Sequence, residues 1–258
     1  MTSQTTYASY PSLKERSIFI TGGASGIGES LVRHFSSQGS RVAFVDIAEE
    51  AGRALAEAIG TEGNTPPLFL PCDLRDIEAL KAAIAQASAE IGPISVLCNN
   101  AGNDDHHRVE DVDVGYWDDR MAVNLRHQFF AAQAVIPQMR ALGGGSVINF
   151  GSITWMVGDP DCCAYVTAKA AITGMTRALA REFGPYNIRV NCLVPGWVMT
   201  KRQIELWLTP EAEAQIDQRQ CLPGRLQTDD IARMALFLAS DDSRMCTSQQ
   251  FIVDAGWV

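Results

Sequence analysis

Short apolar runs rich in β-branched residues alternate along the chain with longer stretches where Ala, Leu and Glu recur at helical spacing. The runs fall at 18–20, 42–45, 68–70, 94–97, 147–150, 188–194 and 251–253, which predicts seven strands. Helical patterns over 27–39, 47–60 and 76–91 separate the first four, each long enough to cross between parallel neighbours. The runs are almost continuously apolar, as expected of strands covered on both faces. The pattern therefore predicts an α/β protein built on a doubly wound parallel sheet with helices on both sides.

No internal repeat, low-complexity tract or Pro/Gly/Ser linker divides the 258 residues, so one domain over 13–258 is expected, preceded by a flexible arm over 1–12. The α/β rhythm breaks at 197–225. There, 197–220 reads as one or two helices ahead of a Pro223-Gly224 turn. An insertion beyond the carboxyl end of a strand lies where ligands of such sheets bind, so this segment is expected to be a substrate lid.

Composition narrows the partners. Thirty acidic residues against 21 basic ones leave a net charge of -9, which repels phosphate backbones and anionic lipid headgroups. Neither nucleic acid nor a membrane is expected as a partner. No apolar stretch reaches the roughly 18 residues of a membrane span, and the start of the chain has neither a basic flank nor an apolar segment. A cytoplasmic protein is the resulting expectation. The seven cysteines form no C-x-x-C pair and mostly lie in apolar runs, which suits buried free thiols in a reducing compartment. Vicinal Cys162 and Cys163 lack further ligands at metal spacing, so no metal is expected.

Directly after the first strand, Thr21-Gly22-Gly23-Ala24-Ser25-Gly26-Ile27-Gly28 opens a helix. Gly22 and Gly26 let the backbone approach a pyrophosphate held at the helix amino terminus, and Gly28 allows close packing of helix on strand. Tight turns use glycine clusters too, so the surrounding order matters. Asp46 closes the second strand 18 residues after Gly28, where a dinucleotide unit places an acid on the adenosine ribose. The sheet is then of Rossmann type and the favoured cofactor is NAD. The 2′-phosphate of NADP would meet a like charge at Asp46, and neither the glycine loop nor Ile47 offers a compensating Arg. Asp46 also suits a helix cap before Ala48-Glu49-Glu50.

Beyond the fifth strand stands Ser152, and Tyr165 and Lys169 follow at positions i and i+4 of a helical pattern, on one face. A tyrosine ordinarily titrates near pH ~10, and a nearby ammonium stabilises the phenolate, so Lys169 is expected to bring Tyr165 towards a useful acid or base. Such a pair also arises by chance in many helices. Here it accompanies the glycine loop, Asn99-Asn100-Ala101-Gly102 after the fourth strand, Asn124 in the next helix and Pro195-Gly196 after the sixth strand.

With those motifs, residues 13–258 resemble the short-chain dehydrogenase/reductase family. The resemblance implies that Tyr165 is the acid/base, that Ser152 orients the substrate oxygen, that Lys169 binds the nicotinamide ribose, and that Asn124 supports a water relay. It further implies cofactor contacts at Gly22, Ser25, Gly26, Ile27, Gly28, Asp46, Ile47, Asp73, Leu74, Asn100, Ala101, Gly102, Tyr165, Lys169, Pro195, Gly196, Val198 and Thr200. Asp254-Ala255-Gly256 departs from the family, which often has a second Gly there. A homotetramer is implied as well, in keeping with the apolar tail Gly256-Trp257-Val258.

A narrower resemblance, carried by stretches such as Gly102-Asn103-Asp104-Asp105, Thr200-Lys201-Arg202-Gln203 and Asp254-Ala255-Gly256-Trp257, is to the bacterial NAD-dependent sugar dehydrogenases that include the D-xylose 1-dehydrogenases. It implies oxidation of a small free aldose at C1. Polar and aromatic side chains at Asn103, Asp104, Trp155, Trp197 and Gln203, with Ser152 and Tyr165, would line the sugar pocket. His106 and His107 read as exposed loop residues. The alternatives are the same chemistry on a deoxy sugar acid, a polyol or a 3-hydroxyacyl group, or a dinucleotide-sensing scaffold without catalysis. The last has no need of Ser152, Tyr165 and Lys169 together.

Overall fold

The computed structural model describes residues 7–258. In chain order its elements are β1 (Ser17–Thr21), α1 (Gly26–Ser37), β2 (Arg41–Asp46), α2 (Glu49–Thr61), β3 (Leu68–Pro71), α3 (Ile77–Ile91) and β4 (Val96–Asn99). Then follow α4 (Val114–Met121), α5 (His127–Ala141), β5 (Gly145–Phe150), α6 (Thr154–Val157), α7 (Cys163–Phe183) and β6 (Ile188–Pro195). The remainder comprises α8 (Lys201–Leu206), α9 (Pro210–Arg219), α10 (Thr228–Ala239) and β7 (Gln250–Val253).

The seven strands make one parallel sheet in the order β3-β2-β1-β4-β5-β6-β7. The chain reverses direction across the sheet between β1 and β4, which opens a crevice at their carboxyl ends. All five residues of β1 are buried, and their side chains alternate between the two layers. Ile18 and Ile20 pack with Leu31 and Phe35 of α1 and Ile231 and Leu236 of α10, whereas Phe19 packs with Leu80 and Ile84 of α3 and Val135 of α5. Burial on both faces is thus the physical source of the continuous apolar runs.

The expected strands are all present, with one shift. The run at 94–97 becomes a strand only from Val96, because the Ile94 amide donates to Gln138 Oε1 at 2.8 Å instead of joining the sheet. Behind the site, Asn99 Nδ2 donates to Asn149 Oδ1 at 2.9 Å, and Asn149 Nδ2 donates to Thr176 Oγ1 at 3.0 Å. This buried polar chain ties β4 and β5 to α7 and fixes the floor on which the site stands.

The arm expected at 1–12 lies partly outside the described residues, at 1–6. Residues 7–12 are seated on the body. The Tyr10 amide donates to Gln38 Oε1 at 2.8 Å, and the Asp241 amide donates to Ser12 Oγ at 3.1 Å. All seven cysteines are free, but burial is less general than expected: Cys163 and Cys221 are exposed and Cys246 is half-buried. Cys163 occupies the exposed first position of α7, and Cys221 lies just after α9. No described helix is long and apolar enough to cross a membrane.

Candidate active site

The glycine loop runs from β1 into α1, and its glycines are required by contact rather than by flexibility alone. A Cβ on Gly28 would lie 1.7 Å from the Gly22 carbonyl oxygen, and one on Gly22, whose φ is +68°, would lie 2.8 Å from Ala101 Cα. Asn100 Nδ2 donates to the carbonyls of Thr21 and Gly22 at 3.1 and 3.0 Å, and the Ala101 amide donates to Thr21 Oγ1 at 3.1 Å. The loop after β4 thereby clamps the glycine loop after β1. Ser25 precedes α1 in an extended conformation and makes no side-chain cap, so the first-turn amides keep their capacity to bind an anion.

Of the two roles open to Asp46 from the sequence, the structure shows the one at the start of α2. Its Oδ2 accepts from the Ala24 amide and its Oδ1 from the Ala48 amide, each at 3.0 Å, so it joins the glycine loop to the start of α2. Beside it the Ile47 side chain is exposed. Asp73 is held by Arg75, whose guanidinium places its carboxyl below the usual carboxylate range, and Leu74 packs on the core.

Asn124 is fully buried in a π-helical turn, Ala122–Arg126, between α4 and α5. Such turns often occur where a helix must present a functional side chain. Its Oδ1 accepts from the Asn103 amide at 2.7 Å and its Nδ2 donates to the Asn103 carbonyl at 3.0 Å, which fixes the loop after β4. Gly102 leaves room for this packing, since a Cβ there would lie 3.2 Å from both Asn124 Oδ1 and Lys169 Nζ.

Ser152 follows β5, buried, and its hydroxyl accepts from the Thr154 amide at 3.2 Å. Lys169, one turn further along α7, is buried, donates to the Phe150 carbonyl at 2.9 Å and sits 5.4 Å from the Tyr165 ring centre. The four residues Asn124, Ser152, Tyr165 and Lys169 therefore gather at the carboxyl ends of β4 and β5. The electrostatics differ from the expectation that Lys169 lowers the tyrosine. Burial pushes the Tyr165 phenol up, the Asp104 carboxylate adds to that rise, and the Ser152 hydroxyl opposes it. Burial likewise pushes the Lys169 ammonium down to about 8. In this geometry desolvation outweighs an ammonium whose proton is engaged by a backbone carbonyl.

The expected sugar residues are spread over three segments. Asn103 uses its Oδ1 to accept the Asp105 amide at 2.8 Å, so it shapes its own turn. Asp104 and Gln203 are hydrogen-bonded to one another across the mouth of the site. Trp155 stands on α6, and the Trp197 ring, after β6, lies 6.3 Å from that of Trp257. Pro195 and Gly196 end β6, where the Gly196 amide donates to the Val253 carbonyl at 2.9 Å. Val198 bridges to Leu226, and Thr200 caps α8 beside Gly26. These contacts pin the start of the 197–225 segment to the glycine loop.

Several residues escaped the sequence reading. His107 is half-buried, not exposed: its Nε2 faces the Ala164 amide at 3.3 Å in the first turn of α7, and its Nδ1 faces Tyr116 Oη at 3.0 Å. His106 is exposed but stacks on Trp207 at 3.8 Å between ring centres. Arg202 reaches back to Asp104 and Asp105. Each is a contact between segments distant in the sequence, so no local spacing announces it. His127, three residues after Asn124, is buried and held neutral, its imidazole pushed down to about 3 by burial and then by Lys169.

Residues 22–258 match the family profile described as enoyl-(acyl carrier protein) reductase. The chain belongs to the short-chain dehydrogenase/reductase family. It is 56% identical over 97% of its length to D-xylose 1-dehydrogenase of Caulobacter vibrioides, 98% of which is covered. It is 48% identical to a protein of Rhizobium meliloti named probable galactose dehydrogenase, over 96% of each chain. Among solved structures, a blue fluorescent protein from a metagenomic library in complex with NADPH superposes with a TM-score of 0.88 at 30% identity, covering 96% of this chain and 99% of that one. The chain is thus an oxidoreductase acting on CH–OH groups of a small molecule, with a nicotinamide cofactor.

Proposed function

We propose that the protein oxidises the C1 hydroxyl of a small free aldose, a pentose or 6-deoxyhexose, to the lactone, using NAD. The observation that carries this reading is the placing of buried Ser152 after β5 and of Tyr165 and Lys169 one turn apart on α7, beneath Asp104, Gln203 and the indoles. The identity to sugar dehydrogenases supports the substrate class. Neutral sugar hydroxyls match amide, carboxylate and indole groups. The indole N–H groups of Trp155 and Trp197 are buried with no acceptor among the described residues, so an entering sugar hydroxyl would satisfy them.

The residues fit a nicotinamide dinucleotide on the protein's own contacts. The glycine loop, held in place by tight packing at Gly22 and Gly28, together with the uncapped start of α1, suits its pyrophosphate. Asp46 suits its adenosine ribose, and Lys169 its nicotinamide ribose. Bound there, the dinucleotide supplies the hydride acceptor. Asp46 decides the preference for NAD despite the likeness in fold to an NADPH complex, because its carboxylate opposes a further phosphate.

Tyr165, when ionised, takes the proton of the C1 hydroxyl while Ser152 holds that oxygen in place. Its raised position means that oxidation strengthens as pH rises and fades as falling pH protonates the phenolate. Asn124 fixes the loop backbone that carries Asp104, in addition to the water-relay role its family position implies.

Residues 13–258 work in this reading as one catalytic domain in the cytoplasm, with 197–225 as lid. Assembly is proposed as a homotetramer on family grounds, and of the tail Val258 stays exposed. Trp257 packs on its own subunit beside Ile153, and Asp254 folds the end back by accepting the Gly256 and Val258 amides at 2.8 and 2.9 Å. Light scattering at micromolar concentration checks the assembly.

The test of function is a steady-state panel of aldoses, polyols and sugar acids with NAD and NADP. D-Xylose, L-arabinose, D-galactose or L-fucose should react with NAD. Failure of all four, with turnover of a 3-hydroxyacyl thioester or a keto-deoxy sugar acid, overturns the substrate.

A further inference from the structure

Two neighbouring carboxylates, Asp104 and Asp105, leave the loop after β4 and face the first turn of α8, almost a hundred residues away in the chain. Arg202 spans both. Its Nε donates to Asp104 Oδ1 at 3.1 Å and its terminal nitrogen to Asp105 Oδ1 at 2.5 Å. Gln203 donates to the other oxygen of Asp104, and Arg120, itself mostly buried, donates to the other oxygen of Asp105 at 3.0 Å. The stacked pair His106 and Trp207 closes the same seam one turn further on.

We propose that Arg202 is a positioning residue for the reaction: it holds Asp104 at the mouth of the site, facing Tyr165, as the acceptor of a substrate hydroxyl. The inference rests on the aldose reading, since a free sugar offers hydroxyl donors to that carboxylate. An ionised carboxylate has about four acceptor positions, of which Arg202 and Gln203 occupy two. The rest remain for a ligand.

An isolated surface ion pair contributes little, and Arg202 is 43% exposed. This arrangement differs because one planar guanidinium separates two adjacent like charges and fixes both in orientation. Without it, Asp104 and Asp105 repel one another, and of the ties between this loop and α8 only the neutral ones, Gln203 to Asp104 and the His106–Trp207 stack, remain. The consequence reaches the chemistry through Tyr165. The groups that bear on the phenol are Asp104 from the loop, Asp159 and Cys162 from the approach to α7, Ser152 after β5, and Lys169 on its own helix. On the lid side, Lys201 is engaged by Glu205 at 3.7 Å, so Arg202 is the cation bonded to Asp104 there, while the Lys169 ammonium acts on the same carboxylate from within the site. Removing the Arg202 cation uncovers negative charge beside the phenol and makes its ionisation harder.

The experiment compares wild type, Arg202→Gln, Arg202→Lys and the double variant Arg202→Gln with Asp104→Asn. It reads kcat and KM across pH for the aldose that reacts best in the panel above, NADH binding by fluorescence, and thermal melts. Arg202→Gln should raise the sugar KM about tenfold, the scale of one charged hydrogen bond, with NADH affinity nearly unchanged. Its kcat/KM should rise with pH along a limb displaced to higher pH by about half a unit or more. The double variant should return that limb to the wild-type position while KM stays high, and Arg202→Lys should recover part of the KM loss. An unmoved limb in Arg202→Gln, or a KM change matched by an equal loss of NADH affinity or of melting temperature, overturns the inference. Should wild type oxidise no aldose but another alcohol, the aldose reading fails by itself. The pH limb, read on that alcohol, then still decides the role of Arg202.

Discussion

The cradle between β1, β2 and β4 and the lid over 197–225 flank the same site, yet they are held in place by different physics. In the cradle, backbone meets backbone: Gly28 has no space for a Cβ, Asn100 ties two carbonyls of the neighbouring loop, and Phe44 behind Gly23 is fully buried. In the lid, the base is held by buried Val198 and Ile216, but the contacts over the site are made by partly exposed charges and one aromatic stack, with Arg202, Gln203 and Trp207 reaching Asp104, Asp105 and His106. Steric contact is insensitive to salt and tolerates no growth of a side chain. Surface ion pairs are individually weak, are screened by salt, and permit opening. The two regions suit a cofactor gripped in one fixed geometry and a substrate that must enter and leave.

The largest effect is expected where the regions meet. Tyr165 stands on α7, under the lid-side loop and beside the cradle. Tyr165→Phe should lower turnover by about 10² to 10⁴, the usual worth of a general acid or base, while affinities for NAD and for sugar hold. Single-turnover kinetics with separate binding measurements check this. Near-normal turnover would move the base elsewhere and dissolve the distinction between gripping and reacting residues.

Next comes the cradle itself. Gly28→Ala forces a methyl against the Gly22 carbonyl, so either α1 or the glycine loop must shift. Overpacking of this kind costs about 1–3 kcal/mol, equivalent to roughly 5- to 150-fold in dinucleotide affinity if the strain falls on the loop. Calorimetric titration with NADH reads the loss. Unchanged affinity would show that the cradle is less rigid than the lid, the reverse of the comparison.

The same contrast explains what could be read from the sequence. The strands, the glycine loop and the Tyr165/Lys169 pair are legible because each is local: an apolar run, a required glycine, an i,i+4 spacing. Asp46 announced its contact at the start of α2 in the same local way, whereas its tie to the Ala24 amide joins two strands' ends and was not legible. The lid was legible only as an interruption. Gln203 was placed as a sugar contact from the sequence, but its bond to Asp104 joins segments brought together by the whole sheet. His107 looked like an exposed loop residue because its partners, Ala164 and Tyr116, come from two other helices. The rise of the Tyr165 phenol was hidden for a related reason, since spacing reveals the ammonium on the same face but not the desolvation around both groups.

A smaller effect separates charge from geometry within the cradle. Asp46→Asn keeps an acceptor for one of the two amides and removes the carboxylate's repulsion of a 2′-phosphate. The ratio of kcat/KM for NAD over NADP should fall by about tenfold, with little change in melting temperature. Asp46→Ala should move the ratio similarly and also cost about 1 kcal/mol, as loss of a helix-start acceptor does. An unchanged ratio in both would reduce Asp46 to a structural cap.

The smallest effect belongs to the lid. Gln203→Ala removes one donor to Asp104 but leaves Arg202 in place, so the carboxylate keeps its position and loses part of its orientation. The sugar KM should rise only severalfold, in line with a single partly exposed hydrogen bond worth about 1 kcal/mol, and NADH affinity should stay constant. Salt sharpens the comparison. Because the remaining hold on Asp104 is an ion pair between partly exposed groups, raising ionic strength should increase the sugar KM of Gln203→Ala more than that of wild type. The NADH affinities of the two proteins should respond alike, since their cradles are identical and Gln203 takes no part in it. A salt response shifted equally in both constants would mean that lid and cradle move as one body, and the division of labour drawn from their contacts would have to be abandoned.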